Sequence, residues 1–155
     1  MMNPSNGATV SVDWIVKALT SGRFAERVIA QRHLDDERKT LDRQAARDKL
    51  IHLIRTDFSP QREAEDEATH VADVRCWLLG SLGRPPAEKE EPVKTLRNHV
   101  DFKVERNKWA RYWALTSLLR LKPPDLKEIC AKVAKDDKDL LPKMLAAAVL
   151  AQSGD

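Results

Sequence analysis

The chain has 155 residues, 42% hydrophobic and 33% charged, with 27 Lys+Arg set against 24 Asp+Glu. That length suits one domain with a real core, and a net charge of +3 excludes both an acidic disordered tail and a histone-like polycation. No run of about 18 apolar residues is present to span a membrane, and two cysteines, Cys76 and Cys130, cannot build a disulfide framework or a zinc knuckle alone.

Met1 to Gly7 lacks the basic-then-apolar order of a signal peptide, so a cytoplasmic chain with reduced thiols is expected. Residues 1–9 read as a disordered lead-in to one helical domain over 10–155. A short apolar segment, Val10 to Thr20, is closed by Gly22. Arg23 to Asp57 reads as one long helix or two, with a break around Leu34 to Lys39, where little is apolar. Ser59-Pro60 has the form of an N-cap followed by Pro at the first helical position. Val71, Val74, Leu78 and Leu82 then make one stripe at i, i+3, i+7 and i+11, closed by Gly83 as a helix C-cap. Pro92 opens the next segment. Ala110, Ala114, Leu118 and Leu121 repeat the stripe, flanked by Trp113 and Leu115 and closed by Pro123-Pro124. A shorter stripe follows at Leu126, Ile129, Cys130 and Val133. Asp139 reads as the cap of the last helix, whose face carries Leu141, Leu145, Ala146, Val149 and Leu150. No bounded run alternates with period two, so the fold class is all-α. Val74, Leu78, Leu82, Ala114, Leu118, Leu145 and Val149 are expected to be buried together.

A repeat runs through these helices. Val74 to Leu82 overlays Ala110 to Leu118 at a shift of 36, matching Arg, Trp, Leu, Ser and Leu; Lys143 to Leu150 follows at 32, and Arg43 to Leu50 precedes, more weakly, at 32. Six residues before each basic position stand Glu37, Thr69, Glu105 and Asp137. The pattern resembles the HEAT repeat family, in particular the short bacterial-type repeats related to phycobilisome lyases. Their motif is an acidic residue, then Val-Arg-x-x-Ala-x-x-Ala-Leu on the first helix of each pair. The resemblance covers roughly Leu41 to the carboxy end. It implies a right-handed α-α superhelix, a HEAT/armadillo-like solenoid of about four helical pairs, with an Arg–acid ladder between neighbouring repeats. Carried over, the ladder residues are Arg75, Glu105, Arg111, Asp137 and Lys143. Thr69 stands where the acid before Arg75 belongs, which weakens the expectation of a ladder contact there. Independently, each helical pair is too small to bury its stripe alone, and stacking neighbours gives a continuous core. Gly80, Ser81, Ala110 and Ala114 provide small side chains where helices approach closely.

No catalytic or metal-binding constellation emerges. The four histidines, His33, His52, His70 and His99, are 18 to 29 residues apart, too far to set two imidazoles on one helix face. His70 with Asp66 or Asp73 reads as a solvated surface pair. Cys76 and Cys130 sit beside apolar stripes, as core thiols do. Gly80 to Arg84 lies at a helix carboxy end and lacks the Gly-Lys-Ser/Thr ending of a phosphate loop. Asp136 to Asp139 lacks the length and distal Glu of a calcium loop. No cofactor is expected.

Charge is the more informative signal. Between Lys94 and Lys122 eight Lys/Arg face only Asp101 and Glu105, interleaved with Trp109, Tyr112 and Trp113. Arg97, Lys103, Arg106, Lys108, Trp109 and Tyr112 are therefore the candidate partner-binding residues. Basic groups neutralise phosphates and rings stack on bases, so a nucleic-acid-binding module is the alternative. The simpler reading packs Tyr112 and Trp113 between helices and solvates the Lys/Arg. HEAT-like DNA glycosylases use an Asp beside aromatic residues, and no Asp occurs in Trp109 to Leu121. The leading expectation is a non-enzymatic scaffold presenting a curved surface to a protein partner, as part of a longer protein whose next element covers Leu141, Leu145, Ala148 and Val149.

Overall fold

The structure, a computed structural model, describes residues 11–21, 23–35, 43–62, 69–83 and 90–153. Among them are eight α-helices and no strand: α1 (Val12–Thr20), α2 (Phe24–Asp35), α3 (Arg43–Arg55), α4 (Thr69–Ser81), α5 (Glu90–His99), α6 (Lys108–Leu121), α7 (Leu126–Asp136) and α8 (Leu140–Gln152). The fold is all-helical. Arg23 to Asp57 contains two helices rather than one; the residues between them, like residues 1–9 and Glu37, lie outside the described residues. Ser59-Pro60 starts only a 3-10 turn, Pro60–Arg62, and α4 begins later.

Local chemistry sets most helix ends. Ser11 caps α1 by accepting from Trp14 N at 3.1 Å. Asn107 caps α6 by accepting from Trp109 N and Ala110 N at 2.9 and 3.1 Å. At the other end of α6, Lys122 is left-handed at φ 52° and its N–H returns to Leu118 O, after which Pro123-Pro124 prevents continuation. Asp139 occupies the N-cap position of α8 but makes no side-chain capping bond. Its carboxylate is committed to Arg111 instead.

α1 packs on α2, α5 on α6 and α7 on α8, while α4 lies against α6 and α6 against α8. The core runs through these contacts, with Ile15, Leu19, Leu50, Ile54, Leu78, Leu79, Leu82, Leu96, Leu115 and Leu118 fully buried. Val74 and Ala114 are buried with them, but Leu145 and Val149 are only half-buried, because α8 packs on α6 and α7 with one face still open.

α4 and α6 approach closely. Ser117 Oγ, on α6, donates to Leu79 O at 2.7 Å and lies 3.2 Å from Gly80 O. A Cβ at Gly83 would fall 2.7 Å from the Ser117 Cα, and Gly83 is not left-handed. Gly83 is therefore needed for backbone proximity rather than as a left-handed cap. That crossing fixes the relative position of the aromatic side chains described next.

Candidate functional site

Two buried ion pairs hold the α4, α6 and α8 side of the molecule. Arg75, on α4, donates Nε and Nη2 to the two carboxylate oxygens of Glu105 at 2.6 and 2.8 Å, and Nη1 to Phe58 O at 3.3 Å. Arg111, on α6, repeats the geometry: Nε and Nη2 reach Asp137 at 2.9 and 3.0 Å, and Nη1 donates to Glu105 O and Arg106 O. Each arginine thus grips a carbonyl in the loop before its own helix and a carboxylate in the loop before the next even-numbered one. Arg75 pairs with Glu105 in the loop before α6, so Thr69 in the acidic position of the motif does not leave it without an acid. Both carboxylates also take the N–H two residues on, Asn107 N to Glu105 at 3.1 Å and Asp139 N to Asp137 at 2.9 Å. Lys143, in the third position of the series, is half-buried and pairs with no acid among the described residues.

Glu105 has a further partner that sequence spacing did not suggest. His99 Nδ1 lies 3.0 Å from its Oε2, and both side chains are buried. Burial pushes the Glu105 carboxyl upward, but hydrogen bonds from His99 and Arg75, with the charge of Arg75, outweigh it and hold the group below its ordinary value. The pair is rigid because every oxygen is claimed, and breaking such a buried pair costs about 3–5 kcal/mol.

Beside these pairs, α2, α4 and α6 enclose a cleft of about 590 Å³ lined by Phe24, Arg27, Gln31, Asp73, Cys76, Trp77, Gly80, Trp109 and Trp113. Helical spacing explains the membership: Phe24, Arg27 and Gln31 share one face of α2, Asp73, Trp77 and Gly80 one face of α4, and Trp109 and Trp113 one face of α6. Gly80 leaves the floor open to the Trp113 ring, which a Cβ there would touch at 3.4 Å. Phe24 meets Trp77 edge-on at 5.8 Å between centroids, and Tyr112 meets Trp109 and Trp113 edge-on at 6.4 and 5.7 Å. Arg27 is buried, stacks 5.8 Å over the Trp77 ring, donates Nε to Ser21 O at 2.8 Å and is ion-paired with Asp73.

Apolar surface reaches solvent on three helices. Phe24, Trp109, Trp113, Leu140 and Met144 are the exposed large hydrophobic residues among those described, and all lie on α2, α6 or α8. Trp109 is 52% and Phe24 70% exposed, more than rings involved only in packing need be. Tyr112 is half-buried against its two indole neighbours.

The candidate partner-binding residues divide. Lys103, Arg106 and Lys108 are exposed, in the loop before α6 and at its first residue, adjacent in sequence to Trp109. Arg97 does not join them: it borders a separate small cleft between α5 and α7 and bonds Asp125 at 2.6 Å. That bond draws the Asp125 carboxyl below its ordinary value against a smaller opposing effect of desolvation. Phe24, Arg27, Asp73 and Trp77 complete the cleft but carry no local motif; their only sequence signal is the i, i+3/i+4 spacing on each helix. Among the described residues no group of three His, Cys, Asp or Glu is arranged to hold a metal ion. Burial pushes the Cys130 thiol up, away from the reactive thiolate. No family model, curated protein or solved structure matches this chain.

Proposed function

We propose that this chain is a non-enzymatic, HEAT-like helical-repeat module of the cytoplasm that binds a protein partner on the side formed by α2, α4, α6 and α8. The observation that carries the reading is the aromatic cleft. Four rings from three helices surround one cavity, in a size range suited to a bound group, and are partly open to solvent. Tryptophan and tyrosine held rigidly at a surface are the residues that most often dominate protein interfaces. The recurrent Arg–carboxylate geometry of Arg75 and Arg111 supports the HEAT-like part of the reading, in which stacked helical pairs build a superhelical, curved face.

A nucleic-acid-binding role is the second reading, favoured by the exposed Lys103, Arg106 and Lys108 preceding Trp109 in the sequence. One experiment separates the two. A displayed random-peptide library is panned against the protein and against Trp109→Ala, and the same two proteins are titrated with single-stranded and duplex oligonucleotides over a salt series. Protein recognition predicts peptides retained by the wild type and lost by Trp109→Ala. Oligonucleotide binding with a slope of about −0.9 per phosphate contact on duplex DNA, and no retained peptide, selects the second reading.

A further inference from the structure

The lining of the α2/α4/α6 cleft narrows the partner, on the reading that the cleft binds protein. Arg27 and Asp73 are the charged members of that lining, and they are paired with each other. The pair is not symmetric: the Arg27 side chain is 4% exposed and the Asp73 side chain 51%. Arg27 bonds Oδ2, and Asp73 Oδ1 has no partner among the described residues. The cleft therefore turns the carboxylate end of the pair to solvent and keeps the guanidinium end in its wall.

The uncharged lining favours the same sign of ligand. Phe24, Trp77, Trp109 and Trp113 supply four aromatic rings, and the face of a ring attracts a cation, an indole most strongly. The molecule already uses that attraction once here, holding Arg27 5.8 Å over the Trp77 ring while it is bonded to Asp73. An acidic group entering the cleft would meet a carboxylate of its own sign. A purely apolar group would take water from Asp73 Oδ1 and give no hydrogen bond back, which costs free energy. A cationic donor answers both the rings and the open oxygen.

We infer that the cleft takes a basic segment of a protein partner, one arginine side chain seating among Trp77, Trp109 and Trp113 and donating an N–H to Asp73 Oδ1. Arginine suits the site better than lysine, because its planar guanidinium stacks on rings and is more weakly hydrated than an ammonium. The cavity, about 590 Å³, has room for that side chain and for part of the segment carrying it.

The test uses four peptide libraries with random uncharged flanks and a fixed central residue, which is Arg, its neutral isostere citrulline, Leu or Glu. Each is titrated by fluorescence anisotropy against the full chain. Arg peptides should bind tightest, by about tenfold or more over citrulline, which keeps the shape and removes the charge. Trp109→Leu, at an exposed position, keeps the wall apolar and removes the ring; it should weaken Arg peptides about tenfold and change Leu peptides by no more than about twofold. Asp73→Asn should weaken Arg peptides and leave citrulline peptides unchanged. Since it also takes the counter-charge from buried Arg27, its thermal melt is recorded alongside, and the Arg–citrulline comparison on the wild type stands without it. Equal or tighter binding of citrulline, Leu or Glu peptides, still lost in Trp109→Ala, would overturn this inference and leave the protein-binding reading intact. Binding of no peptide from any library, or of oligonucleotides alone, would overturn both.

Discussion

Arg75 and Arg111 share one tie: Glu105 gives its carboxylate to the first and its backbone carbonyl to the second. The loop between α5 and α6 is therefore held from both sides by buried guanidinium groups. Its next residues, Arg106 to Lys108, lead directly into α6 and Trp109, so the start of that helix depends on Glu105.

Glu105→Gln should destabilise the protein by about 3–5 kcal/mol in urea unfolding, because it removes the buried carboxylate that grips the fully buried Arg75 with two hydrogen bonds. Arg55→Ala, which removes a half-exposed pair with Glu91, should cost only about 0–1 kcal/mol. Equal losses in the two variants would show that the buried pair contributes no more than the surface one.

Stability should also respond to acid in a defined window. Burial alone would raise the Glu105 pKa, but His99 and Arg75 hold it below its ordinary 4.5, so the folded state favours the carboxylate. The resulting stabilisation is complete above pH 4.5 and is lost as pH falls through the lower folded value. The urea midpoint of the wild type should decline through that interval, and Glu105→Gln should decline less steeply over the same interval. Parallel declines would remove Glu105 from the explanation.

Two glycines only three residues apart should tolerate alanine differently. At Gly83 the new methyl meets the Ser117 backbone at 2.7 Å, whereas at Gly80 it touches the edge of the Trp113 ring at 3.4 Å. Gly83→Ala should cost about 1–3 kcal/mol through forced separation of α4 and α6. Gly80→Ala should be milder, with its effect visible as altered tryptophan fluorescence. A neutral Gly83→Ala would mean that the crossing has slack.

Leu118→Ala should cost about 2–5 kcal/mol, the usual penalty for a cavity in a closed core, since Leu118 is fully buried between packed helices. Met144→Ala, at a side chain 61% exposed on α8, should lie within about 0.5 kcal/mol of wild type. Thermal or urea melts of both variants measure the contrast.

What could be read from the sequence follows from how far each signal reaches. Stripes such as Val74, Leu78 and Leu82 are written in one helix at fixed spacing, and all three are buried. The positions of Glu105, Arg111 and Asp137 were legible because they recur in register, and Arg75 and Arg111 each reach the acid that follows in the next loop. Asp139 looked like a cap because Asp precedes many helices; a buried guanidinium claims it instead. The cleft was least visible. Phe24, Asp73 and Trp109 are separated by 49 and 36 residues, and only the packing of α2, α4 and α6 brings them together. Trp113 read more simply as a core residue, since α6 is apolar on most sides and nothing local marks which side stays open.

The separation of the paired residues along the chain has a kinetic meaning. Arg75 and Glu105 are 30 residues apart, and Arg111 and Asp137 are 26 apart. The entropy of closing a loop grows only with the logarithm of its length, and both closures are short on that scale. Neither bridge encloses the whole chain, and each can form once its own flanking helices are present. Folding of α4 to α8 need not wait for any distant segment to arrive, which places this part of the chain among rapidly folding, locally connected helical topologies. Successive helices can join a growing structure in the order in which they are synthesised.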